Sequence, residues 1–156
     1  MNLPSIPKET GGIYILCIET TDDLRIDVGK LGNLEFKNGI HVYVGSAMNG
    51  LYHRINRHIS NSKKIRWHID YLLEHARVFK VYYAITSERK ECAVSNFFNE
   101  KSQYFKPVPN FGNSDCTNCP SHLYSLKILG SLNKFDELLR KSLESSGLEA
   151  KILQIS

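Results

Sequence analysis

The sequence has no long hydrophobic run. Its longest uninterrupted apolar stretch, residues 13–18, is six residues, against the roughly 18 that a helix needs to cross a bilayer. A transmembrane helix and a membrane partner are therefore not expected. The first ten residues also lack an apolar stretch, being broken by Pro4, Pro7, Lys8 and Glu9, so no secretory signal is read there and the cytoplasm is the expected compartment. Cysteine is scarce, with four among 156 residues. In that compartment Cys17, Cys92, Cys116 and Cys119 should be reduced, which turns the question from disulfides to metal binding or plain burial. No internal repeat, low-complexity tract or linker marks a boundary, and the length is too short for two comfortable cores, so one domain is expected. A composition of 42% apolar and 23% charged residues is that of a folded globular chain.

What is present is an asymmetry of charge. The whole chain carries a formal charge of +4, yet residues 37–90 hold ten Lys or Arg against three acids, Asp70, Glu74 and Glu88. Five of the six histidines, His41, His53, His58, His68 and His75, fall in the same stretch. Basic and titratable groups concentrated in this way suggest an anionic partner, most commonly nucleic acid. A solvated face that happens to be basic is an equally good reading of charge alone.

The periodicity predicts an α/β (α+β) domain with a small mixed or antiparallel sheet flanked by helices. Residues 12–19 are apolar on both alternating faces, as in a central strand covered on both sides. Short alternating pieces at 24–28 and 34–36 around a Gly-containing turn read as an inserted hairpin. Residues 40–45 form the next strand, with Ile40, Val42 and Val44 on one face and His41 and Tyr43 on the other. The spacing then becomes helical over 51–60: Leu51, Ile55 and Ile59 make the core stripe, and Arg54 and His58 stack beside it. A second helix is predicted over about 66–75, a strand over 78–86, and a helix from a Ser87 N-cap to about 102 that places Glu91 on one face with Val94 and Phe98. Residues 103–121 should be mostly loop, 122–129 a last strand, and 133–146 an amphipathic helix ended by Gly147. The core is expected over about 10–126, with 131–156 as a helical appendage.

Four features then line up in order: Gly12-Ile13-Tyr14 on the first strand, Tyr43-Val44-Gly45 on the strand that should pair with it, Arg54 and His58 on the following helix, and Glu91 on a later one. This order of parts resembles the GIY-YIG nuclease superfamily. More of the chain is similar to one branch of it, small archaeal and bacterial proteins of which some relatives are fused to a DNA glycosylase. The similarity runs through Val28-Gly29-Lys30-Leu31-Gly32, Tyr43-Val44-Gly45-Ser46-Ala47, residues 66–73, Glu91-Cys92 and residues 111–123.

The resemblance implies metal-dependent cleavage of phosphodiester bonds, DNA rather than RNA, in repair or processing, and the residue types suit that chemistry. Glu91 would ligate one Mg²⁺ or Mn²⁺. Arg54 would grip the phosphate, and the hydroxyls of Tyr14 and Tyr43 would orient or deprotonate water. A phenol is a poor base at neutral pH and needs a helper, for which His58 is the first choice and His68 the second. Asp70 and Asp115 are further residues that could approach substrate; Asp115 could stand where the superfamily has a late asparagine, a role that stays open beside Asn113. Arg57, Lys63, Lys64 and Arg66 are the expected backbone-phosphate contacts. Against these stand the plainer readings: an Arg54–Glu91 salt bridge, a packed Tyr14, a satisfied core His58. The 28 residues between Tyr14 and Tyr43 exceed the short connection usual in the superfamily, so the inserted hairpin must loop out and leave the two strands paired. The main alternative to a nuclease is a nucleic-acid-binding module on the same fold with little or no turnover.

Cys116-x2-Cys119-x2-His122 has spacing compatible with three zinc ligands, and Cys92 could be the fourth. A loop held by packing and hydrogen bonds ranks ahead of zinc here, and zinc ahead of a redox pair.

Overall fold

Residues 6–61, 63–113, 116, 118–127 and 130–155 are described by a computed structural model. Strand β1 (Gly12–Thr20) runs through the middle of the sheet, and its apolar residues are buried on both faces, as the sequence predicts. A hairpin follows, β2 (Leu24–Asp27) and β3 (Asn33–Phe36), joined through a 3₁₀ turn at Gly29–Leu31. It forms a separate two-stranded sheet, so β4 (Gly39–Ala47) is left free to pair with β1 along its whole length, from Gly12 opposite Ala47 to Thr20 opposite Gly39. The expected looping-out is what the structure has.

Helix α1 (Leu51–Ile59) and the short α2 (His68–Leu73) come next, then β5 (Arg77–Ile85), which pairs antiparallel with the other side of β1. After α3 (Glu91–Glu100) the chain forms β6 (Phe105–Pro107), β7 (Leu123–Leu126), α4 (Leu132–Glu144) and β8 (Lys151–Gln154). The main sheet is six-stranded and antiparallel throughout, in the order β6-β7-β4-β1-β5-β8. The fold is α+β, an antiparallel sheet flanked by helices.

Alternation along the strands divides the core in two. Tyr14, Leu16, Ile18, Tyr43 and Tyr83 pack on one face with Leu51 and Ile55 of α1, Leu72 of α2, and Ile26 and Phe36 of the hairpin. On the other face Ile13, Ile15, Val42, Val44 and Tyr82 pack against Val94 and Phe98 of α3 and Phe135, Leu138, Leu139 and Leu143 of α4. A nine-residue helix such as α1 would not persist alone in water. Burying Leu51 and Ile55 completely, worth on the order of 2 kcal/mol each, is what holds it.

Several sequence expectations need correction. On the face of β4 that carries Tyr43, His41 is a packed residue and not part of the cleft: its Nδ1 meets Ser125 Oγ at 2.9 Å and its ring lies edge-on to Phe36. Helix α3 begins at Glu91 with Lys90, not Ser87, at its N-cap, because Thr86 Oγ1 takes the Glu88 N–H at 3.0 Å and folds residues 86–90 into a turn. Helix α2 is shorter than predicted, since Trp67 has an extended backbone and serves as its N-cap. The segment 103–121 contains β6, β7 is not the last strand, and the expected helical tail also supplies β8, which completes the sheet beside β5.

Asp70 ties the first-face helices together. Its side chain is fully buried and accepts from Arg57 Nη1 at 2.9 Å and Nη2 at 2.8 Å, and from the N–H groups of Arg66 at 2.9 Å and Trp67 at 3.0 Å. Burial works to raise its pKa, but the Arg57 guanidinium and the two N–H groups override this and hold the carboxyl below its ordinary value. Removing one partner of a buried pair strands the other charge. Asp70→Ala should therefore lower the unfolding free energy by about 3–5 kcal/mol in urea denaturation. Glu19→Ala, which removes the partner of Arg77 at the surface, should cost about 1 kcal/mol or less. Equal losses for the two variants would contradict this account.

Candidate active site

The register of β1 and β4 sets the site. Tyr14 lies opposite Gly45 and Ile13 opposite Ser46, and the Tyr14 phenol lies over Gly45, where an added Cβ would meet its oxygen. Tyr43, two residues earlier on β4, points to the same face. Its ring packs against Gly112, which takes a left-handed backbone (φ +72°) and where a Cβ would lie 2.9 Å from the ring. These two glycines let the phenols approach the backbone.

Both tyrosines open onto a cleft of about 460 Å³ whose wall also carries Ser46, Arg54, Arg66, Trp67, His68, Arg89 and Glu91. Arg54 comes from α1. It donates to the Ser46 carbonyl at 3.2 Å and stacks on the Trp67 indole at 4.4 Å, so its guanidinium is fixed rather than free to swing. Glu91, the first residue of α3, accepts from Ser46 Oγ at 3.1 Å, and the helix N-terminus favours its negative charge. His68 sits at the rim, with Nδ1 accepting from the Gly112 N–H at 3.1 Å. Three arginines and one carboxylate make a wall suited to a polyanion.

His58 lies behind the cleft, 2% exposed, with Nε2 at 2.7 Å from the Tyr14 hydroxyl. Burial pushes its pKa down to about 3, with Asp70 opposing and Lys63, Arg54 and Arg57 reinforcing the shift, so the imidazole is neutral at ordinary pH. Burial likewise drives the Tyr14 phenol far up, against the nearby Arg54, and Tyr43 well above its ordinary value.

The sequence-predicted residues thus divide. Tyr14, Tyr43, Arg54, Glu91, His68 and Arg66 converge on the cleft, and His58 reaches it through Tyr14. Arg57, half-buried, is engaged by the fully buried Asp70, and neither residue lines the cleft where binding and substrate contact were expected of them. Lys63 closes the end of α1, donating to the carbonyls of His58 at 3.0 Å and Ser60 at 2.7 Å. Lys64 is exposed outside the cleft. Asp115 lies outside the described residues. Arg89, Ser46 and Trp67 were not singled out for the site; the signal for Ser46 was its place directly after Gly45, and for Arg89 its place two residues before Glu91.

A second group adjoins the first. One ligand atom from each of Cys92, Cys116, Cys119 and His122 lies within 4.8 Å of the others, an arrangement that could hold a metal ion. As the structure stands, Cys92 and Cys116 are joined as a disulfide, which departs from the expected reduced state.

The family model described as Domain of unknown function DUF123 matches residues 13–144, most of the chain and both halves of the cleft. The chain belongs to that family. The matched part of this DUF123 chain runs beyond residue 126 and takes in α4 as well as the sheet strands from β1 to β7. No match was found among curated proteins or among solved structures. No helix among the described residues of the DUF123 chain is long and apolar enough to cross a membrane.

The depressed pKa of His58 has a consequence for stability. Between about pH 6.5 and about pH 3 the unfolded chain binds a proton at this residue that the native protein refuses, so stability falls as pH drops through that window. A shift of this size corresponds to several kcal/mol, at about 1.4 kcal/mol per pH unit. His58→Gln should flatten the plot of unfolding free energy against pH between about 6.5 and 4.5. His41 and His68, also shifted down by burial, are common to both proteins, so an unchanged slope would refute the assignment.

Proposed function

We propose that this chain is a divalent-metal-dependent endonuclease of the GIY-YIG type, acting on DNA in preference to RNA. The observation that carries the reading is the convergence of Tyr14, Tyr43, Arg54 and Glu91, from β1, β4, α1 and α3, on one open cleft. Phosphodiester cleavage requires the phosphate to be neutralised and held, a water to be aimed in line, and the leaving oxygen to be stabilised.

Arg54, held from one side by Trp67 and from the other by the Ser46 carbonyl, takes the scissile phosphate. Arg66 and Arg89 on the same wall take neighbouring phosphates. The Glu91 carboxylate, steadied by Ser46 Oγ, supplies a hard oxygen ligand of the kind that Mg²⁺ or Mn²⁺ accepts together with water and phosphate oxygens. The ion, when bound, would draw charge off the phosphate and acidify water. Tyr14 and Tyr43 position that water through their hydroxyls. Their raised pKa values suit orientation better than proton abstraction in the absence of substrate and metal. A neutral His58 has one N–H; placed on Nε2, it donates to Tyr14 and turns the phenol proton toward the cleft.

The test is a panel of labelled duplex, single-stranded, flap, branched and abasic DNA, with RNA alongside, incubated with Mg²⁺ or Mn²⁺. Wild-type protein should give metal-dependent products, and Glu91→Gln should lower the rate at least about 100-fold while binding DNA as tightly as wild type. Absence of cleavage by wild-type protein, with equal binding by both, would replace the nuclease reading by that of a nucleic-acid-binding module.

A further inference from the structure

We propose that Cys92, Cys116, Cys119 and His122 form a structural zinc site of three thiolates and one imidazole, which pins the first turn of α3 to the loop that runs into β7. All four donor atoms lie within 4.8 Å of one another. A tetrahedral zinc with Zn–S about 2.3 Å and Zn–N about 2.0–2.1 Å sets its ligand atoms about 3.5–3.8 Å apart, so a thiol reductant must first open the Cys92–Cys116 bond and the three sulfurs must then spread around the metal. The donors come from three parts of the chain: Cys92 from α3, Cys116 and Cys119 from the loop after β6, and His122 from the residue before β7. Cys116, Cys119 and His122 are 9%, 7% and 2% exposed, and Cys92 is half-buried at the wall of the cleft; four protein donors fill a tetrahedral zinc, as in a structural site, and leave no position for a substrate.

The backbone around the cluster holds the donors in place. Cys116 N–H bonds the Asn113 carbonyl at 2.9 Å, and Asn113 Nδ2 bonds the Cys119 carbonyl at 2.8 Å, which ties both cysteines to Asn113. Asn96 and Ser95 of α3 donate to the carbonyls of Asn118 at 2.8 Å and Ser121 at 2.6 Å. His122 is held between Phe111 and Val44, each through a 2.9 Å backbone bond. A disulfide between Cys92 and Cys116 engages two of the four donors, whereas zinc engages all four, and Cys119 Sγ already lies 2.7 Å from Cys116 Sγ. In the reduced chain the three thiols give up their protons to solvent as the metal binds.

His122 Nδ1 is also 4.0 Å from Glu91 Oε2. The zinc centre therefore fixes the surroundings of the carboxylate in the cleft. That consequence, unlike the zinc site itself, rests on the nuclease reading.

Protein purified with a thiol reductant and without chelator should contain close to one zinc per chain by elemental analysis. After exchange for Co²⁺ it should show thiolate-to-cobalt charge-transfer bands and the visible bands of tetrahedral cobalt. Cys119→Ser and His122→Ala should lose most of the metal; Cys17→Ser, buried outside the cluster, and Glu91→Gln should retain it. The wild-type measurements do not depend on either ligand variant folding. A folded, fully reduced wild-type protein with neither zinc nor cobalt bands would overturn the proposal, as would a Cys92–Cys116 disulfide persisting under reductant. Zinc content is read without activity, so a zinc-bearing protein that cuts nothing counts against the nuclease alone, and a metal-free protein with Mg²⁺-dependent cleavage against the zinc site alone.

Discussion

Asp70 sits fully buried between two helices, and the position of the arginine in the cleft depends on it. Its carboxylate takes both Nη atoms of Arg57 and the N–H groups of Arg66 and Trp67. The indole that follows lies under three guanidinium groups, Arg57 at 4.3 Å, Arg54 at 4.4 Å and, farther off, Arg66 at 5.7 Å. Trp67 is thus placed by Asp70, and Arg54 is placed by Trp67. A buried ion pair is weak evidence of net stabilisation, because desolvation offsets the attraction. Its stronger effect is to fix geometry, since both oxygens are engaged, Oδ1 by one donor and Oδ2 by three, and an alternative packing would leave buried polar groups unmet.

The sheet supplies the other half of the arrangement. Antiparallel pairing of β1 with β4 brings Tyr14 beside Gly45, and side chains two apart on one strand share a face, so Tyr14 and Tyr43 are neighbours through the register alone. Phe111, in the loop after β6, packs edge-on against Tyr43, Phe36 and His68, which joins the loop to the hairpin and to the rim of the cleft. The hairpin packs into the first-face core, and none of its residues lines the cleft.

The central strands, the inserted hairpin and α1 were legible in the sequence because each carries a strong local signal: an unbroken apolar run for β1, alternation for β4 and the hairpin, and a period of about 3.6 for Leu51, Ile55 and the neighbouring His58. Tyr14, Tyr43, Arg54 and Glu91 were legible through the order of their motifs along the chain rather than through local physics. What escaped was decided by tertiary pairing. Nothing near Asp70 distinguishes a carboxylate that meets substrate from one that meets Arg57 thirteen residues earlier. Lys63 reads as a surface cation until its reach back to the end of α1 is known. The start of α3 was missed because Ser87 is a good cap by type, while the Thr86 hydroxyl spends that segment on a turn. β8 is only four residues long and takes its strand character from the open edge of β5.

That last pairing bears on how the chain can be made. β5 is complete by Ile85, yet the strand that covers its outer edge begins at Lys151. Over the intervening 65 residues of synthesis a growing chain presents a nine-residue edge with unmet N–H and C=O groups, including Val81, Tyr82 and Tyr83. Such an edge is a template for pairing with another nascent copy. The last few residues of the fold therefore act against self-association during biogenesis, far along the chain from the cleft whose sheet they complete.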